Sequence, residues 1–130
     1  MIQQGTVLNV CDKTGVISVR CVKILGLANK RTASYGDIVL VSIIRINNKK
    51  MIGDGLKKLR FAKGTLHRGL IVRTKTKFFR DSGSSLYFDD SAVVLINESF
   101  IPLSNRLFGP IMKELCVKYL PLGSIAKYIY

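Results

Sequence analysis

The run DIVLVSIIRI, Asp37–Ile46, decides how the rest of the chain reads. Val and Ile dominate it, and β-branched side chains favour extended backbone. Its polar positions are too few for a sheet wetted on one face, so both faces of this strand are expected to be covered. Its apolar core, Ile38–Ile44, is far short of the ~20 residues that a membrane-crossing helix needs. Upstream lie a polar loop, GLANKRTASYGD, carrying Lys30 and Arg31, and a second β-branched run, VISVRCVKIL, ending at Leu25. DKTG (Asp12–Gly15) reads as a turn, and GTVLNV before it as a short strand.

Downstream, NNKKMIGDGLKKLRFAKG (Asn47–Gly64) is irregular and holds six Lys or Arg residues, which suggests a long basic loop or flexible hairpin. RGLIVRTKTKFFR (Arg68–Arg80) returns to strand character. RDSGSS follows as a turn, with Gly83 available for a positive φ. LYF and SAVVLIN supply further strands. Five or six short strands with turn signals between them imply a mainly β chain closing into a small barrel. The last third differs. Pro110 suits the first position of a helix, where no N–H is needed, so NRLFGPIMKEL predicts a helix from Pro110 to about Val117. Pro121 should end any continuation, with GSIAKYIY forming a further helical turn.

At 130 residues and 48% hydrophobic composition the chain has enough apolar material for one folded domain. It also carries 21 basic against 8 acidic residues, a formal net charge of +13. Such a surface repels itself unless a polyanion neutralises it. Nucleic acid is the first candidate, and an anionic membrane surface the second. The opening MIQQGTVLNV lacks the charged-then-apolar order of a signal peptide and the Arg-rich amphipathic character of a transit peptide.

Catalytic signatures are weak. His67 is the lone histidine and sits among charged neighbours. Asp89 and Asp90 point to opposite faces if they lie on a strand, so they are expected to end it, accept turn hydrogen bonds or neutralise a nearby Arg. Cys11, Cys21 and Cys116 are odd in number and form no CxxC. They read as small buried hydrophobes, with neither a disulfide framework nor a zinc site indicated. No phosphate-binding glycine motif occurs. The expectation is a protein without enzymatic activity, metal or cofactor.

The cations are clustered. Lys30 and Arg31 share one loop, and Arg45 ends the Asp37–Ile46 strand. Lys49, Lys50, Lys57, Lys58, Arg60 and Lys63 share another loop. Arg68, Arg73, Lys75, Lys77 and Arg80 lie on one strand and its edges, and Arg106 and Lys113 flank the helix start. On a strand, Arg73, Lys75 and Lys77 would form a one-sided ridge with ~7 Å between neighbours, close to the separation of phosphates on an extended backbone. Phosphate contacts of this kind fix register without reading sequence. Of Phe78 and Phe79, alternation leaves at most one free to stack on a base.

The segments GLIVRTK, RDSG, YFDDSAVVLIN and NRLFGPIMKEL, with MIQQGTVLNVCDKTG and SYGDIVLVSI, together resemble the L-fourteen family of large-subunit ribosomal proteins over nearly the whole chain. The resemblance implies a five-stranded closed β-barrel over 1–100, a projecting basic hairpin or loop, and a C-terminal segment over 104–130 with short helices. It implies binding to large-subunit rRNA, a part in an inter-subunit bridge to small-subunit rRNA, and the neighbouring proteins L-three and L-nineteen. It also implies a ribosome-silencing factor as partner, reached through Asn105, Arg106 and Lys113. Ser91 stands where relatives carry Asn or Thr, Asn105 replaces a common Thr, and the tail LPLGSIAKYIY departs from the usual ending. That divergence points to a mitochondrial ribosome, with bacterial cytoplasm or plastid as the alternative. Two rival readings remain from the residues: a free-standing barrel gripping single-stranded nucleic acid through Phe78, Phe79 and Tyr87, and a peripheral membrane protein, which needs a basic amphipathic helix.

Overall fold

The computed structural model describes residues 2–26, 31–47 and 61–130. Five strands close into a barrel in the order β1 (Val7–Val10), β2 (Val16–Ile24), β3 (Ile38–Ile46), β4 (Leu66–Arg73) and β7 (Ala92–Ile96). All pairings are antiparallel except the closing one, where β1 runs parallel to β7 with Asn9 opposite Ala92. A hairpin, β5 (Phe78–Phe79) and β6 (Ser85–Leu86), leaves the barrel between β4 and β7. Gly83 turns it at φ 88°, the left-handed conformation expected there.

The barrel interior follows from alternation. Every second residue of β3 (Val39, Val41, Ile43) is buried, together with Leu8, Val19, Cys21, Ile71, Val93 and Leu95 from the other strands. The opposite face of β3 is only half covered: Ile38, Leu40, Ser42 and Ile44 are intermediate. This corrects the expectation of a strand buried on both sides. The stretches buried on both sides are the C-terminal part of β4, Gly69–Arg73, and all of β7. Leu70, Val72, Ala92, Val94 and Ile96 face outward from the barrel into a second cluster with Phe88, Leu107, Ile111, Met112, Leu115 and Leu122. The C-terminal segment lies over β4 and β7. It leaves the outer face of β2 exposed and that of β3 half covered, with Ile38 packed against the second cluster.

That segment contains β8 (Pro110–Ile111), α1 (Lys113–Lys118), α2 (Leu120–Ile125) and β9 (Tyr128–Ile129). Pro110 therefore opens no helix. It begins a two-residue strand paired in parallel with β9, and the Tyr130 amide donates to Ile111 O at 2.9 Å. The returning chain end holds Pro110 extended, and α1 starts three residues later than expected. Pro121, expected to end a helix, lies in the first turn of α2, where its missing N–H costs no hydrogen bond.

The 68–80 strand also ends earlier than expected, at Arg73. The register slips between Ile71 and Arg73 against β7. Thr74 is fully buried, and Tyr35 Oη donates between Thr74 O and Thr76 O, at 2.9 and 2.8 Å. The chain is thereby pinned in a bend rather than continuing as a strand.

Two polar devices join the layers. Asp12, 4% exposed, accepts from Thr14 N (3.2 Å), Thr14 Oγ1 (2.5 Å) and Leu95 N (3.0 Å), tying the β1–β2 turn to β7. Burial pushes its carboxyl above the usual range, against the pull of those hydrogen bonds. Arg73, 8% exposed, reaches Asp90 twice at 3.2 Å and donates from Nη1 to Phe108 O at 3.0 Å. Gly109 (φ 81°) makes room for it, because a Cβ there would stand 2.0 Å from Arg73 Nη1. This is the neutralising role foreseen for Asp90.

Asp12 binds its proton more tightly in the folded chain than in the unfolded one. Its contribution to stability is greatest below the ordinary carboxylate pKa of ~3.9 and is lost as pH rises through the raised folded value. Denaturant titrations across that window should show this falling slope in the wild type and lose it in Asp12→Asn. At neutral pH the same variant should be less stable by ~1–3 kcal/mol, because one buried N–H loses its acceptor. Gly109→Ala should cost ~1–3 kcal/mol through its left-handed backbone and more through displacement of the guanidinium. In an Arg73→Met background only the backbone part should remain, so a double-mutant cycle in thermal unfolding should give a non-zero coupling between the two sites.

Candidate nucleic-acid interface

The strands β1, β2, β3 and β4 contain no Asp or Glu. Their exposed positions include Arg20, Lys23, Arg45 and Arg68. Cross-strand register sets the spacing. Lys23 pairs with Leu40, and Leu40 pairs with Arg68, so these two cations flank one apolar residue across three strands, ~10 Å apart at two interstrand steps. Arg20 lies opposite Val7 on one side and Ser42 on the other, and Arg45 lies opposite Ser18. Like charges in water at ~10 Å repel by only a few tenths of a kcal/mol per pair. The barrel tolerates the array, and a polyanion would add an attractive term at each cation that outweighs these small repulsions.

Arg20 and Lys23 escaped the sequence reading because each sits within a strongly apolar run. The available signal was alternation: Arg20 falls between Val19 and Cys21, and both of those point inward.

The Arg73–Lys75–Lys77 ridge does not exist as a strand face. Lys75 and Lys77 are exposed on the bend after β4, whereas Arg73 is buried against Asp90 and Phe108. Arg80 is half-buried: its Nε lies 2.7 Å from Glu114 Oε1, and its Nη2 donates to the Tyr130 carbonyl. Both arginines fasten the C-terminal segment, Arg73 behind β7 and Arg80 through the hairpin. Neither presents a free guanidinium to a phosphate.

Arg31 and Lys63 are exposed. Lys30, Lys49, Lys50, Lys57, Lys58 and Arg60 lie outside the described residues. Asn105 and Arg106 are exposed on a loop held to the β1–β2 turn. Ser104 Oγ there accepts from Lys13 N at 2.9 Å, and Phe108 N donates to Cys11 O at 2.6 Å. Lys113 is the exposed first residue of α1.

Among the aromatics, Phe78 turns inward and meets the Tyr35 ring edge-on at 5.8 Å. Phe79 is 73% exposed and Tyr87 57%. The His67 ring lies 5.0 Å from that of Phe61, and burial lowers its pKa, which suits a packing residue. Burial pushes the Cys11 thiol up to about 12 and raises Cys21 and Cys116 as well. The thiolate form a nucleophile needs is disfavoured at all three. Among the described residues no three His, Cys, Asp or Glu side chains gather in a way that would hold a metal ion. No described helix is long and apolar enough to cross a membrane.

Strands β1–β4 free of carboxylates, a bend with two exposed lysines and a C-terminal layer fastened by two arginines give the described residues a cationic surface. A family model described as ribosomal protein L14p/L23e matches residues 1–130, the full length. The mainly β architecture, the five-stranded barrel and the short C-terminal helices agree with the resemblance carried by the sequence segments. The chain therefore belongs to the L14p/L23e family of ribosomal proteins of the large subunit.

Proposed function

We propose that this ribosomal protein is a non-catalytic structural constituent of the large subunit that binds its rRNA through phosphate contacts. The observation that carries the reading is the outer face of β1–β4, where Arg20, Lys23, Arg45 and Arg68 stand without a single carboxylate on those strands. Lys75 and Lys77 extend the charge past the end of β4, and Arg31 and Lys63 add to it. The cations of the 47–64 segment join the same account on sequence grounds. The rigid barrel fixes these charges in space, so they recognise the shape of a folded backbone more than the identity of bases. The exposed Asn105, Arg106 and Lys113 would serve the inter-subunit bridge or a silencing factor, with L-three and L-nineteen as neighbours. The divergent tail favours a mitochondrial ribosome.

Filter binding to a large-subunit rRNA fragment across a salt series tests this. Neutralisation of ~6–10 phosphates should weaken affinity by ~10³–10⁵-fold between 50 and 200 mM salt. Replacing Arg20, Lys23, Arg45 and Arg68 together by Gln should flatten the log–log slope by up to about one unit per cation. Arg73→Gln should instead lower thermal stability and leave the slope nearly unchanged. A flat salt response in the wild type would remove the electrostatic account.

The exposure of Phe79 keeps one rival in play, a barrel that stacks single-stranded bases. Phe79→Leu combined with Tyr87→Leu should leave rRNA affinity within about threefold. A loss near the ~1–3 kcal/mol per base that stacking supplies would favour the rival.

A further inference from the structure

A cleft of about 450 Å³ opens where α1 ends against the barrel. Its described walls include Leu25, Gly36, Arg68, Phe100, Lys118 and Tyr119. The volume falls within the ~300–1,000 Å³ of small-ligand sites. Duplex RNA is too wide to enter, whereas one unpaired nucleotide fits.

Its walls are held in place. Tyr119 Oη donates to Gly36 O at 3.1 Å, joining the end of α1 to the turn before β3. Asp37, also on the wall, accepts from Ser34 N at 2.8 Å within that turn. Phe100 is the one described non-glycine residue with positive φ, at 62°, a conformation that is uncommon for an aromatic. Asn97 enforces it: its Oδ1 accepts from Ser99 N and Ile101 N, both at 2.9 Å, and its own N–H donates to Ile101 O at 3.0 Å. The ring so held is 47% exposed at the cleft. Strain that the surroundings over-determine is characteristic of ligand sites.

The chemistry is paired. Arg68 and Lys118 bring two cations that outnumber the carboxylate of Asp37, and Phe100 brings a flat π face. A nucleotide offers both complements in one unit, a phosphate and a stackable base. An acidic peptide offers carboxylates without the planar ring. Arg68 also ends the Lys23–Leu40–Arg68 row, so the cleft continues the cationic face on which the proposed function rests. We propose that this cleft captures a single nucleotide extruded from the bound RNA, its base on Phe100 and its phosphate at Arg68 and Lys118. A bulged nucleotide suits it best, because an unpaired base is the least costly to extrude.

Two measurements on the full chain test the proposal. In an NMR titration, adenosine monophosphate should shift the amides of Gly26, Gly36, Asp37, Phe100 and Tyr119. In filter binding, an RNA hairpin with one bulged adenosine should bind more tightly than the same hairpin fully paired. Phe100→Asn should erase that preference, a loss of roughly 5- to 150-fold on the bulged RNA if one stack is removed, with the salt slope kept. Asn accepts the left-handed conformation, so this variant should fold, and a circular dichroism melt checks it. Lys118→Gln should weaken the bulged RNA more than the paired one. The cleft assignment fails if Phe100→Asn affects both hairpins alike or neither, or if the shifts fall elsewhere. It fails equally if a tetraglutamate peptide shifts the same amides as strongly, or if the nucleotide binds while the wild type does not discriminate the hairpins. Wild-type protein that binds neither hairpin would overturn the phosphate-binding reading together with the cleft.

Discussion

The burial of β7 on both faces is the constraint from which the rest of the molecule follows. Val93 and Leu95 fill the barrel, while Ala92, Val94 and Ile96 form the floor of the C-terminal layer. Each large aliphatic or Met side chain buried in that layer contributes ~1.5–3 kcal/mol, and Leu107, Ile111, Met112, Leu115 and Leu122 all lie there. The Arg73–Asp90 pair joins a buried guanidinium to an aspartate whose side chain is 41% exposed, and the cost of desolvating the arginine offsets much of their attraction. Apolar burial therefore attaches the segment. The guanidinium, by reaching Phe108 O and excluding any Cβ at Gly109, fixes where along the chain it attaches.

This division of labour decides which cations remain for a partner. Covering β4 and β7 draws Arg73 and Arg80 into the fold, where each meets a carboxylate and a main-chain carbonyl. The uncovered side of the barrel keeps its cations without counter-ions on its strands. The two groups look alike in composition and differ in solvation. A desolvated arginine between an aspartate and a carbonyl has its hydrogen-bonding capacity directed inward. An arginine on the outer wall keeps a planar, bidentate donor for a phosphate.

The same division explains what could be read in advance. The barrel strands were legible because β-branched runs lie between glycine-containing turns, as at Gly15 and Gly36. The end of β4 was not. RTKTK keeps strand-like alternation to the last residue, and what stops it is a register slip against β7, a tyrosine from the turn before β3 and an aspartate 17 residues on. Pro110 and Pro121 carried local signals for one helix, start and stop. Pairing of β8 with the chain end, a contact distant in sequence, overrode the first signal, and Pro121 lies inside the first turn of α2 instead of after a helix. Which strand is covered twice depends on where the C-terminal segment lands, so the most apolar stretch, Asp37–Ile46, turned out to be half open.

That openness of β3 places Leu40 between Lys23 and Arg68 on the outer wall. A fully polar wall would hydrate its cations more strongly and hold water against an approaching phosphate. Leu40, Val22 and Leu66 supply apolar surface between the charges instead. Arginine stems can lie along such surface with their guanidinium heads outward, which limits the side-chain entropy lost when a phosphate is bound. The strand thus has two faces with different roles in the fold: its inner residues close the barrel, and its outer ones space the charges of β2 and β4.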